Sequence, residues 1–260
     1  MKITIFSSNQ PRHINLVKEL SLIADEVFFI SEANTVFPGE IDDFYKKSNI
    51  MQSYFKNVIS AEKKLFGDIE FISNNIRSLF IKEGDLSKIN QEILKDALTS
   101  DFYIVFGASF IKGWLIDFLI KNQAVNIHMG ISPYYRGSSC NFWALYDNKP
   151  GYVGATIHLL SKGLDNGDIL FHCIPKVISG ESPFEFTMRA VEVAQKGLIK
   201  LIKNSKIKII ERIKQDKNLE IRYTKNKDFT DETAQEFLQR DLQISQDLIS
   251  YPKLFNPIFE

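Results

Sequence analysis

The chain has 260 residues, 44% hydrophobic and 25% charged, with 32 basic side chains against 32 acidic ones. This is the composition of an ordinary globular protein whose core is deep enough to fold without staples. Zero net charge argues against a dedicated nucleic-acid binder, which is usually basic. Two cysteines cannot build a disulfide framework. No run of about 18 apolar residues offers a membrane span, and the N-terminal MKITIFSSNQPRH lacks the apolar stretch and cleavage site of a signal peptide. A cytoplasmic location is therefore expected.

In chain order, Ile3, Ile5 and Phe6 predict a buried strand. Ser7 to Pro11 supply turn and cap residues, with Pro11 suited to a helix's first turn, and Leu16, Val17, Leu20 and Ile23 then recur at helical spacing. Residues 26–30 (EVFFI) read as the next strand, and this opening predicts an open, parallel α/β sheet. Charged and apolar residues mix in helical patterns over 42–65 and 86–98, with a short strand expected at 70–73. Residues 101–106 (DFYIVF) are a better buried strand. Helix 111–121 carries Trp114, Leu115, Phe118 and Leu119 on one face, and 124–128 is again a strand. A helix is expected over 138–147 and strands over 153–160 and 169–177, flanking a glycine-containing loop at 161–167. A long helix spans 183–203, with 207–210 extending it or starting a strand. The stretch 196–217 reads as a basic helix with a solvated face, and the chain after 230 is acidic and helical in patches.

The segment 125–170 carries the chemistry. Side chains alternate along a strand, so Asn126 and His128 face one side, close to the strand's C-terminal end, the edge where open α/β sheets bind ligands. An Asn amide there can hold a developing oxyanion, and His128 can move a proton near neutral pH. Asp165, in the loop Gly163-Leu164-Asp165-Asn166-Gly167, can reach an imidazole. Taken singly, an N-x-H on a strand is more often structural, and a glycine-flanked Asp is usually a turn.

Taken together, Asn126-Ile127-His128, Pro133-Tyr134-Tyr135-Arg136-Gly137, Gly154-Ala155-Thr156-Ile157-His158 and Leu164-Asp165-Asn166-Gly167 resemble the folate-dependent formyltransferase family. The resemblance is strong over 100–172, weaker before 100, and covers roughly 1–205. It implies an α/β chain with a Rossmann-like, mostly parallel sheet. A catalytic core over 1–205 would be followed by a short C-terminal extension, 206–260, serving acceptor binding or dimerisation. It also implies 10-formyltetrahydrofolate as formyl donor, with no metal, and Asn126, His128 and Asp165 as the catalytic residues. The folate would lie against Phe110, Ile111, Gly163, Leu164 and Asp165. Asn9, Gln10, Arg12, Tyr134, Tyr135 and Arg136 would meet the acceptor. One departure stands out. Family members commonly read H-P-S-L-L-P where this chain has His128-Met129-Gly130-Ile131-Ser132-Pro133, so the acceptor-facing surface should differ.

Three acceptors compete within the resemblance. Methionyl-tRNA formyltransferases add a sizeable C-terminal domain, whereas here residues 206–260 are few and those after 230 are acidic, a poor clamp for phosphates. Glycinamide-ribonucleotide enzymes use a Gly-rich first loop, and Ser7 to His13 is polar without glycine. Enzymes that formylate nucleotide-linked amino sugars for surface polysaccharide add a short extension. The preferred reading is therefore a nucleotide-sugar acceptor, with no nucleic acid or membrane partner and a homodimer as one option. Formyltetrahydrofolate hydrolases share the catalytic residues but carry an N-terminal domain ahead of the core. His158 and His172 read as packing or surface groups, no zinc-ligand spacing occurs, and Cys140 and Cys173 read as free thiols.

Overall fold

In a computed structural model, which describes residues 1–41, 48–242 and 244–260, the apolar runs become neighbouring strands. β1 (Lys2–Ser7) leads into α1 (Pro11–Ser21), with Pro11 in its first turn, and then β2 (Glu26–Ala33). α2 (Asn49–Phe66) starts where the Ser48 hydroxyl accepts from the Met51 amide, and β3 (Ile76–Lys82) follows. β4 (Phe102–Phe106), α3 (Gly113–Lys121) and β5 (Val125–His128) complete the first half. Next come β6 (Tyr135–Gly137), α4 (Cys140–Tyr146), β7 (Ala155–Leu159) and β8 (Ile169–Ile174). α5 (Pro183–Lys203) opens with a reciprocal cap between Ser182 and Glu185. β9 (Arg222–Thr224), α6 (Asp231–Gln239) and β10 (Ile258–Phe259) close the chain.

Eight strands form one sheet in the order β10-β8-β7-β5-β4-β1-β2-β3, and β6 pairs with β9 apart from it. Only β7 runs antiparallel to its neighbours among the described pairs. Strand alternation divides the core. Ile3, Ile5, Phe29 and Ile104 face α1 and α5 on one side, while Phe6, Phe28, Tyr103 and Val105 face α3 on the other. Burial on both faces explains why these strands read as continuous apolar runs.

Several expectations are corrected. Residues 70–73 are not a strand; β3 begins at Ile76, and as an edge strand with one half-exposed face it carries a weak apolar signal. The stretch 86–98 is not a helix but a chain of turns with 3₁₀ segments at Leu86–Lys88 and Ala97–Thr99. Period-three turns bury Leu86, Leu94 and Ala97 at spacings that mimic a helical face. The basic helix over 196–217 ends at Lys203, because Asn204 caps it and Ser205 turns left-handed (φ 55°). Residues 206–208 are then a 3₁₀ turn, so 207–210 neither extends the helix nor starts a strand. The helix expected over 42–65 begins at Asn49; residues 42–47 lie outside the described residues.

Gly137 sits where β6 meets β9. Its φ is +90°, and a Cβ there would lie 1.9 Å from the Thr224 carbonyl oxygen. Gly137→Ala is therefore expected to destabilise the protein by roughly 2 kcal/mol or more, read from urea denaturation. An unchanged midpoint would show that β9 does not hold this approach in solution.

Candidate active site

Parallel β1, β4 and β5 end on the same edge of the sheet, and β5 presents its last residues there. Asn126 and His128 project to one face. Antiparallel pairing sets His158 of β7 opposite Asn126 and Thr156 opposite His128. The loop after β7 brings in Asp165. His128 Nδ1 lies 3.4 Å from Asp165 Oδ2. The Asn126 amide nitrogen donates to Asp165 Oδ1 at 3.4 Å and meets His158 Nε2 at 3.0 Å. His158 Nδ1 donates to the Leu159 carbonyl at 2.8 Å, which leaves Nε2 as the acceptor for Asn126.

His128 has an acceptor at each ring nitrogen, because Nε2 lies 3.1 Å from the Tyr135 carbonyl. Only the protonated ring could donate to both. Burial nonetheless pushes the His128 pKa below its ordinary value of 6.5, against the pull of the Asp165 charge. Burial alone would raise the Asp165 pKa; His128, His158 and the Gly137 amide overcome it and hold the carboxyl at about 2. At neutral pH the site thus holds an ionised carboxylate beside a neutral imidazole. Proton gain by His128 during a reaction would be met by Asp165 on one side and a carbonyl on the other.

His128 borders two cavities. A cavity of about 380 Å³ runs over Asn126, His128 and Asp165 and is lined as well by Phe106, Phe110 and Leu164. A second, of about 270 Å³, also borders His128 and is lined by aromatic groups, including Tyr54, Phe142, Phe184 and Phe229. Gly107 shapes the first. Its φ is +67°, and a Cβ there would fall 2.5 Å from His13 Nε2.

Phe110, Ile111, Gly163, Leu164 and Asp165 all border the larger cavity. Arg12 borders both, but its guanidinium is already paired at 2.8 Å with the buried Glu62. Gln10 lines a smaller neighbouring cavity, and Asn9 is tied to Asn34 by bonds to its backbone amide and carbonyl. The side chains of Tyr134, Tyr135 and Arg136, expected to meet the acceptor, have partners within the protein. Tyr134 and Tyr135 are 6% and 1% exposed. Their hydroxyls donate to the Lys253 carbonyl and the Asp147 carboxylate. A pleated strand that enters the core carries its aromatic rings with it. Arg136 is committed to Glu220 and the Leu164 carbonyl, both at 2.7 Å. His158, expected to be a packing or surface group, is buried within the site. Its only sequence signal is its place two residues after Thr156, and strand register is needed to turn that into proximity. His172 is fully buried, and both cysteines are free and buried. None of the described helices is long and apolar enough to cross a membrane.

A family model described as "Formyl transferase" matches residues 25–202. The methionyl-tRNA formyltransferase of Caldicellulosiruptor saccharolyticus is 30% identical over 179 residues, 69% of this chain and 48% of that protein. Formyltetrahydrofolate deformylase 2, mitochondrial, of Arabidopsis thaliana is 27% identical over 131 residues, 48% of this chain and 38% of that one. The chain spans less than half the length of these curated relatives. Among solved structures, an N-formyltransferase from Helicobacter canadensis, in complex with folinic acid and dTDP-3-aminofucose, shares the fold. It has a TM-score of 0.52 and 14% identity over 88% of this chain and 73% of that one.

Proposed function

We propose that this chain, which belongs to the formyl transferase family, transfers a formyl group from 10-formyltetrahydrofolate to the amine of a nucleotide-linked amino sugar. The observation that carries the reading is the convergence of Asn126, His128 and Asp165 in one cavity, with His128 bordering a second. One cavity suits the donor and the other the acceptor. A flat pterin fits the larger, which pairs apolar groups at Phe106, Phe110 and Leu164 with loop residues 107–109, Ser161 and Gly163. The folate supplies the formyl carbon as electrophile. Asn126 donates an amide N–H to the formyl oxygen as negative charge builds there, exchanging the longer of its two present bonds for the stronger one to an oxyanion. His128 takes the proton that the attacking amine loses and returns it to the departing folate nitrogen. Asp165 stabilises the transient imidazolium. A C–N bond to the acceptor forms, the C–N bond to the folate breaks, and the proton passes from one nitrogen to the other.

The sugar acceptor draws support from the Helicobacter canadensis protein, where the same fold holds dTDP-3-aminofucose. A second reading, formylation of methionyl-tRNA, is favoured by the Caldicellulosiruptor relative and by the apolar lining of the second cavity. One experiment separates them. Purified protein is given 10-formyltetrahydrofolate with a panel of dTDP-, UDP- and GDP-linked amino sugars, initiator methionyl-tRNA, glycinamide ribonucleotide, or no acceptor. Formylation of at least one sugar nucleotide is expected. Formylation of the tRNA alone, or formate release without acceptor, overturns the sugar reading.

A further inference from the structure

The role proposed for Asp165 depends on a loop that residues outside it hold in shape. Asp165 has φ 48°, a left-handed backbone that costs a non-glycine residue energy, though Asp less than most. Three side-chain bonds from elsewhere reach the carbonyls of this loop. Arg136 donates to the Leu164 carbonyl at 2.7 Å. The Gln215 amide donates to the carbonyls of Asp165 at 2.9 Å and Gly167 at 2.8 Å. Gln215 arrives there by register. Ile213 exchanges two backbone bonds, 2.8 and 2.9 Å, with Ile169, the first residue of β8. Two residues further along, in the antiparallel sense, Gln215 stands opposite Gly167. Arg136 is anchored from the same segment by Glu220 at 2.7 Å.

We infer that residues 213–220 strap the Asp165 loop and that Gln215 is the positioning residue that keeps Asp165 aimed at His128 and Asn126, an inference that rests on the catalytic reading of Asp165. Two acceptor carbonyls fix which end of the amide faces the loop, at the expense of leaving Gln215 Oε1 buried without a partner. An apolar side chain would pack in this place as well, so two donors are the property the position supplies. Residues 213–220, which border neither cavity, thereby act on the chemistry through the loop alone.

The test uses Gln215→Met, which keeps the shape and removes both donors, and Gln215→Glu, which sets an acceptor against two carbonyls. Amide hydrogen exchange in peptides covering 164–168 is expected to accelerate about tenfold or more, with exchange elsewhere unchanged. At saturation in both substrates, kcat should fall about tenfold, since small misplacements of a catalytic group cost that much. In an Asp165→Asn background, single-turnover measurement should show that adding Gln215→Met changes the rate less than twofold, because the two residues act as one unit. Unchanged exchange at 164–168, or a full tenfold loss persisting in the Asp165→Asn background, overturns the strap. Full activity of Asp165→Asn alone overturns the catalytic reading instead, and the exchange result still decides whether the strap exists.

Discussion

Asp165→Asn is expected to lower kcat by roughly 100-fold or more, the scale of losing assistance to a proton transfer. The substitution keeps shape and can still hydrogen-bond, so folding should survive. What goes is the charge 3.4 Å from His128 Nδ1, which favours imidazolium when the ring takes up the amine's proton. The same loss has a pH signature. His128 already sits below its ordinary pKa because burial outweighs the Asp165 charge. With the carboxylate gone, it should fall further. The ring accepts a proton only in its neutral form, so activity declines as pH drops through the His128 pKa. The acid limb of kcat in the variant should therefore lie at lower pH than in the parent. Full kcat, or an acid limb that does not move, would show that Asp165 is not coupled to His128 in the reaction.

The second large effect concerns acid stability. His172 is fully buried in β8, accepting from the Phe255 amide at Nδ1 and meeting the Ser132 carbonyl at Nε2, both at 3.0 Å. These partners specify one neutral tautomer, and a proton on Nδ1 would face another N–H. Burial lowers its pKa to about 4, opposed by the bond to Ser132. Above pH 6.5 the ring is neutral in both the folded and unfolded chain, and its contribution to stability is complete. As pH falls from 6.5 toward 4, the unfolded chain takes up a proton that the native protein refuses, so stability falls. Below 4 both states are protonated and no more is lost. The shift of about 2.5 units corresponds to roughly 3 kcal/mol across that window. His13 and His128 are depressed as well and add in the same direction. Urea denaturation should show a lower midpoint at pH 4.5 than at 7.5. In His172→Gln, whose amide can make the same two bonds without titrating, the difference should shrink by roughly 2 kcal/mol. Parallel pH dependence in the two proteins would refute the assignment. The consequence reaches the site, because His172 holds the turn at Ser132 that follows His128.

Much of this protein is legible as a string. Ile3, Phe29 and Ile104 read as strands because a doubly covered sheet demands apolar residues on both faces. Pro11 marks a helix start because its missing amide hydrogen costs nothing in a helix's first turn. Asn126, His128 and Asp165 could be singled out because their types, together with the Y-R-G and L-D-x-G segments, form a combined pattern more specific than any part. The stretch 86–98 misled because successive 3₁₀ turns repeat every three residues, close to the period of a helix. β9 and β10 were invisible because three- and two-residue strands are defined by their partners and carry no periodicity of their own.

Sequence alone determined the kind of sheet, the residues at the end of β5 and the loop that carries Asp165, since local patterning and short-range spacing encode these. Tertiary structure decided which polar groups share the site and which are consumed in building it. His158 joins Asn126 only through the antiparallel register of β7. Tyr135 and Arg136, close to β5 in sequence, turn to Asp147, Glu220 and the Leu164 carbonyl. Gln215, 50 residues from Asp165, reaches it through the bridge between Ile213 and Ile169. The physical reason is that composition and period record which face of an element is buried, whereas a hydrogen-bond partner distant in the chain is chosen only when two elements pack.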